Sequence, residues 1–93
     1  MANSAEPVRA VLIDPSDNVA TLTSRAEPGS LILLDDEREI TASAPIPNGH
    51  KIALISIEPG EPIRKYGQVI GVASEPITVG SHVHTHNLTG QGL

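Results

Sequence analysis

Three of the chain's four histidines fall within five residues, in Gly80-Ser81-His82-Val83-His84-Thr85-His86-Asn87-Leu88. Neutral imidazole is the commonest protein metal ligand and an acid–base group that titrates near neutrality. Side chains two apart on a β-strand share a face, and Val83 and Thr85 favour a strand. The spacing therefore predicts His82, His84 and His86 on one face, with Val83, Thr85 and Asn87 on the other. Neighbouring members stand roughly 6.6 Å apart along a strand, close enough for two rings to lean onto one ion at about 2.0–2.1 Å. His82 and His86, about 13 Å apart in such a strand, would share a centre only through a break or bulge. No carboxylate lies inside the motif, so a metal there would draw on other loops or another chain. His50, isolated after Gly49, gains chemical meaning only if the fold carries it to the row.

Lys51, Arg64 and Lys65 could bind an anionic substrate, since ammonium and guanidinium donors match carboxylate or sulfonate oxygens. Glu37, Glu39, Glu58 and Glu61 have no spacing that pairs carboxylates for acid–base work. Tyr66, at a predicted turn, reads as packing or interface. There is no P-loop, no dinucleotide fingerprint and no Gly-x-Ser-x-Gly elbow, so no nucleotide cofactor and no serine hydrolase site is expected. Without cysteine the chain has no disulfide, thiolate ligand or thiol nucleophile. A net charge of -5, scattered cations and a single aromatic of the Phe/Tyr/Trp type argue against nucleic acid. No apolar run approaches the ~20 residues of a membrane span, and the first residues lack a secretory leader. A cytoplasmic location, away from membranes, is the expectation.

These side chains must be positioned by one domain of 93 residues whose apolar 39% is almost all Ile, Val, Leu and Ala. Branched aliphatics favour strands. Val8–Ile13 reads as a first strand, closed by Asp14-Pro15-Ser16-Asp17-Asn18. Val19–Arg25 is either a short helix capped by Asp17 or a strand. Leu31–Leu34, Ile40–Ala44 and Lys51–Ile57 read as further strands. Pro62–Ala73 reads as two strands about a Tyr66-Gly67 turn, with Gly71 marking a bulge or a close backbone approach. Ala26-x-x-Gly29-x-x-Ile32, Ile57-x-x-Gly60-x-x-Ile63 and Ile77-x-x-Gly80-x-x-Val83 repeat one corner, which predicts internal pseudo-symmetry. The fold class is mostly β, with short wrapped strands. Residues 1–7 read as a disordered lead, 8–88 as the domain and 89–93 as a flexible tail.

Three blocks, Gly49-His50-Lys51-Ile52-Ala53-Leu54, the run Gly60 to Ala73, and Gly80 to Leu88, taken in order, resemble the SAF-type β-clip domain of the altronate/galactarate dehydratase family. That resemblance implies a lyase acting by β-elimination on a hydroxylated acid, whether sugar-acid dehydration or sulfolactate-type desulfonation. It implies a divalent metal, Fe2+, Mn2+ or Mg2+, shared with a larger catalytic subunit, and a small subunit inactive alone. The motif positions become His50, His82, His84, His86 and Asn87. Within them His84 and His86 are the expected catalytic residues, His82 and His84 the expected metal ligands, and Arg64 and Lys65 the expected substrate-binding residues. The partners implied are the larger lyase subunit, a small anionic hydroxy acid and, in some assemblies, further copies of the chain. The alternative is a non-catalytic module that binds a sugar acid or supports assembly.

Overall fold

Alternating aliphatics make strands of nearly every segment where the sequence predicts one. The computed structural model describes residues 7–90 and holds nine short strands and no helix among them. The expected lead, apart from Pro7, and residues 91–93 of the expected tail lie outside the described residues. The strands are β1 Val8–Val11, β2 Val19–Leu22, β3 Leu31–Leu34, β4 Glu39–Thr41, β5 Lys51–Ala53, β6 Pro62–Lys65, β7 Gln68–Ala73, β8 His82–Val83 and β9 Leu88–Thr89. They form a six-stranded sheet in the order β4-β3-β1-β2-β5-β8 and a three-stranded sheet in the order β6-β7-β9. β1 and β3 run parallel; every other pairing is antiparallel.

Several boundaries move for identifiable reasons. β1 stops at Val11, and the amide of Leu12 donates to the Asp35 side chain instead of continuing a ladder. The segment Val19–Leu22 is a strand, not a helix, because Asp17 is engaged elsewhere. The Asp17 carboxylate is buried and accepts the amides of Asp14, Tyr66 and Gly67 at 3.2, 3.0 and 2.8 Å. It thereby fastens the β6–β7 turn, in which Tyr66 and Gly67 have φ of 59° and 71°, the left-handed pair a two-residue hairpin requires. β5 ends at Ala53, since the chain bends at Leu54 and leaves Ile55 exposed. β9 reaches Thr89, which pairs with Val72 inside the segment read as tail. At Gly71 an added Cβ would stand 2.6 Å from the Thr89 carbonyl oxygen, the close approach expected of that glycine.

The pseudo-symmetry extends further than three corners. A fourth, Ile46-Pro47-Asn48-Gly49-His50-Lys51-Ile52, completes two pairs, and Ala26 to Ile57 and Ile46 to Ile77 are each thirty-one residues apart. Within each pair the apolar residues exchange amide hydrogen bonds reciprocally, Ala26 with Ile46 and Ile57 with Ile77. Two apolar clusters follow from the same duplication. One gathers Leu22, Ile32, Leu34, Ile46 and Ile52; the other gathers Val19, Ile57, Ile63, Ile77 and Val83. Burying each such side chain is worth about 1.5–3 kcal/mol. The strand pair that matters for chemistry is β5–β8, with Lys51 opposite Val83 and Ile52 opposite His82.

Candidate functional site

The β5–β8 register brings His50 to the histidine row. Carried one residue beyond Lys51 and Val83, it sets His50 across from His84, and their rings stack with centroids 4.2 Å apart. His50 Nδ1 and His82 Nε2 lie 2.8 Å apart and share a hydrogen bond, one ring donating and the other accepting. The His82 and His84 rings are 5.6 Å apart and nearly parallel. His86 sits at the edge of this group, its ring 5.2 Å from that of His82.

The row itself is not the straight strand its alternation predicts. β8 ends at Val83, and residues 84–87 form a turn. Asn87 makes that turn. Its side-chain oxygen accepts the His84 amide at 2.9 Å, its side-chain amide donates to the His82 carbonyl at 2.9 Å, and the Leu88 amide donates to the His84 carbonyl. An Asn side chain that bonds nearby backbone competes with a sheet ladder in this way. The turn supplies the strand break that joining His82 and His86 requires. It also sends Thr85 and His86 to solvent, while Val83 and Asn87 are buried. Thr85 therefore does not share a packed face with Val83.

Electrostatically the cluster favours neutral rings. His82 is held below the usual histidine range, first by partial burial and then by His50, His86, His84 and Lys51. His84 is lowered in the same direction by desolvation, then by His50, Lys51 and His86. A neutral imidazole keeps a lone pair for a metal or a proton. Lys51 is lowered too, by burial first and then by the charge of Lys65. Lys65 places its ammonium 3.6 Å from the Tyr66 ring centroid. Arg64, its neighbour, is exposed, and its backbone exchanges hydrogen bonds with Asn18. The charge of Lys51 in turn contributes to lowering His82 and His84.

His50, His82 and His84 fit one divalent ion. One ring nitrogen from each lies within 4.8 Å of the others, whereas two nitrogens at about 2.0–2.1 Å from a common ion stand roughly 3.0–3.4 Å apart. Small ring rotations close that difference. An all-imidazole donor set suits iron, zinc, copper or nickel better than magnesium, which prefers oxygen. The sequence pointed to His82 and His84 as ligands; the third nitrogen comes from His50, which the resemblance marked as a motif position without assigning it to a metal. His86 lies outside this set.

Residues 8–91 match the family described as altronate/galactarate dehydratase SAF domain. The chain is 36% identical to altronate dehydratase of Escherichia coli over 77 residues, which are 83% of this chain and 15% of that enzyme. It is 48% identical to the (2R)-sulfolactate sulfo-lyase subunit alpha of Paracoccus pantotrophus over 48 residues, 52% of this chain and 72% of that subunit. It is 31% identical to the corresponding subunit of Chromohalobacter salexigens over 84% of this chain and 89% of that subunit. The chain thus spans a small fraction of the dehydratase and most of each alpha subunit.

Proposed function

The chain belongs to the altronate/galactarate dehydratase SAF-domain family, and from that premise we propose that it is the histidine-bearing small subunit of a lyase, working with a separate larger chain. The observation that carries the reading is the convergence of His50, His82, His84 and His86 at one edge of the β5–β8 pair. A partner is supported by the relatives matched over most of their length, which are alpha subunits. The substrate class is a small hydroxylated acid, and the expected site of action is the cytoplasm.

The reaction is a β-elimination. A base takes the proton α to a carboxylate and the freed electron pair forms the new double bond, while the β carbon–leaving-group bond breaks with its electrons, releasing either sulfite or a hydroxide that takes up a proton from an acid and departs as water. His50, His82 and His84 would hold a divalent ion whose charge stabilises the developing carboxylate-side anion. His84 is then a ligand, and proton transfer falls to His86, exposed beside the cluster and outside the ligand set. Asn87 orients both by holding the turn.

Reconstitution with the large chain in excess tests this, with turnover and bound metal measured together. Replacing His50, His82 or His84 by Gln should lower metal content and turnover. His86→Gln should keep the metal and lower turnover roughly 10²–10⁴-fold, the range of lost acid–base catalysis. Near-normal saturated turnover for all four variants would instead establish a non-catalytic assembly module.

A further inference from the structure

The last glycine corner has a structural twin in the first half of the chain. The Ala53 amide donates to the Ser81 carbonyl, the Gly80 amide donates to the Ala53 carbonyl, and Ile57 and Ile77 exchange amide bonds. Thirty-one residues earlier Leu22 donates to His50, Gly49 donates to Leu22, and Ala26 and Ile46 exchange amide bonds. Ile55 lies midway between Ala53 and Ile57, and Val79 midway between Ser81 and Ile77, so the run holds these two opposite each other. Both are exposed, at 52% and 47%. Their counterparts in the twin are Ser24 and Asn48, exposed as well. A lone exposed aliphatic needs no explanation. Here, however, the same backbone folds with polar residues at the same two places, so the corner itself does not require apolar ones. The charge around the corners differs too. Glu27 is paired with Arg25 at 2.6 Å, whereas its counterpart Glu58 has Ser56 in place of that arginine and no ion pair among the described residues. The place of Ala44 is taken by an exposed Glu75. One corner is thus polar and neutralised, while its twin is apolar at the centre and acidic at the rim, which is the plan of a protein interface.

We infer that the corner bearing Ile55 and Val79 is a docking surface for the larger lyase chain, which seats an apolar side chain there, ringed by cations that meet Glu58 and Glu75. The run that presents the corner also presents the histidines. His50 and Ile55 stand five residues apart on one segment, as do Val79 and His84 on the other. That is about 17 Å of strand, within the span of one standard interface of about 800 Å² per partner, so a chain seated on the corner reaches the histidine edge. A second copy of this chain is the poorer occupant, because a two-fold pairing of the corner with itself would set Glu58 and Glu75 against like carboxylates. The identity of the occupant rests on the subunit reading; the contrast between the twin corners does not.

The test is titration calorimetry of the full chain with the larger lyase chain over a range of salt concentrations. Ile55→Ser with Val79→Asn copies the twin corner, so this double variant should keep the parent's circular dichroism, thermal midpoint and metal uptake. It should bind the larger chain at least about tenfold more weakly, the loss typical of a central interface contact. Glu58→Gln with Glu75→Gln should flatten the fall of affinity with salt. Ser24→Ile with Asn48→Val, on the twin corner, should leave affinity as it is. Should the first double variant misfold, Val79→Glu, at an exposed turn position, supplies the same reading by adding a like charge to the corner. Unchanged affinity of the corner variants, in a complex that the parent does form, would overturn the inference and leave the subunit reading intact. Self-association of the isolated parent that the double variant abolishes would also overturn it, by assigning the corner to a second copy. A complex that forms through this corner without lyase activity would remove the lyase reading and leave the docking surface standing. Parent chains that do not associate would remove the subunit reading, and this occupant with it.

Discussion

Desolvation first, and then the neighbouring imidazoles and Lys51, disfavour a proton on His82 or His84, which is why both are held below the ordinary histidine range. The sign of the pH effect follows. In the unfolded chain these rings take up protons near pH 6.5, and in the folded chain only at lower pH. The unfolded state therefore binds more protons between the two values, so their contribution to stability is complete above about 6.5 and is lost as pH falls through the folded values. Urea unfolding of the chelator-treated chain should give lower stability at pH ~5.5 than at ~7.5; equal or higher stability at the acid value would contradict the neutral cluster. Asn87 is the second residue whose effect can be stated in advance. Asn87→Ala removes the partners of the His84 amide and the His82 carbonyl, at about 1–3 kcal/mol for a polar group left unsatisfied. Thermal unfolding should show that loss, whereas Thr85→Ala, in the same turn but exposed, should stay within about 0.5 kcal/mol.

At the scale of elements, the four glycine corners hold the strands in place, and they are not equivalent. Gly60 and Gly80 occupy matching positions in the two corners of one pair and have φ of 86° and 89°, so alanine is strained at both. That shared strain is about 1–2 kcal/mol. A Cβ at Gly60 would meet nothing within 4 Å, but at Gly80 it would stand 2.3 Å from the Thr41 carbonyl oxygen. Gly80 also precedes β8, so a displaced corner moves His82 and His84. Gly60→Ala should therefore fold with a modest loss in denaturation midpoint. Gly80→Ala should lose markedly more stability, together with metal affinity. Equal losses for the two variants would mean that the β4–β8 approach relaxes freely.

Over the whole molecule, the two apolar clusters are built from aliphatics of both halves of the duplication and use no histidine. The chain should accordingly keep its β-sheet circular dichroism after chelation, and loss of that signal would make the histidines structural ligands. The same independence leaves the histidine edge free to serve a partner. Affinity purification from cells that also express the larger lyase chain should recover both chains, and recovery of this chain alone would count against the subunit reading.

By itself the amino-acid sequence determined the strand-rich class, the Tyr66-Gly67 hairpin, the glycine corners and the polar character of the histidine segment. Each of these is a local matter of branching, positive φ or side-chain type, set within a few residues. The family was also legible there, from three ordered blocks. What tertiary structure decided was which histidines meet. The alternation at 82–86 is the pattern of a strand, yet the Asn87 side chain bonds the backbone and turns the chain after Val83, a competition that alternation does not reveal. His50 reaches His84 only through the β5–β8 register, which is settled by burial of Ile52 and Val83 in the two clusters. The β6–β7 turn is fastened across some fifty residues because its Tyr66 and Gly67 amides donate to the Asp17 carboxylate. Such meetings depend on cooperative packing of segments tens of residues apart, so the chemistry of the site became visible only once the fold had closed.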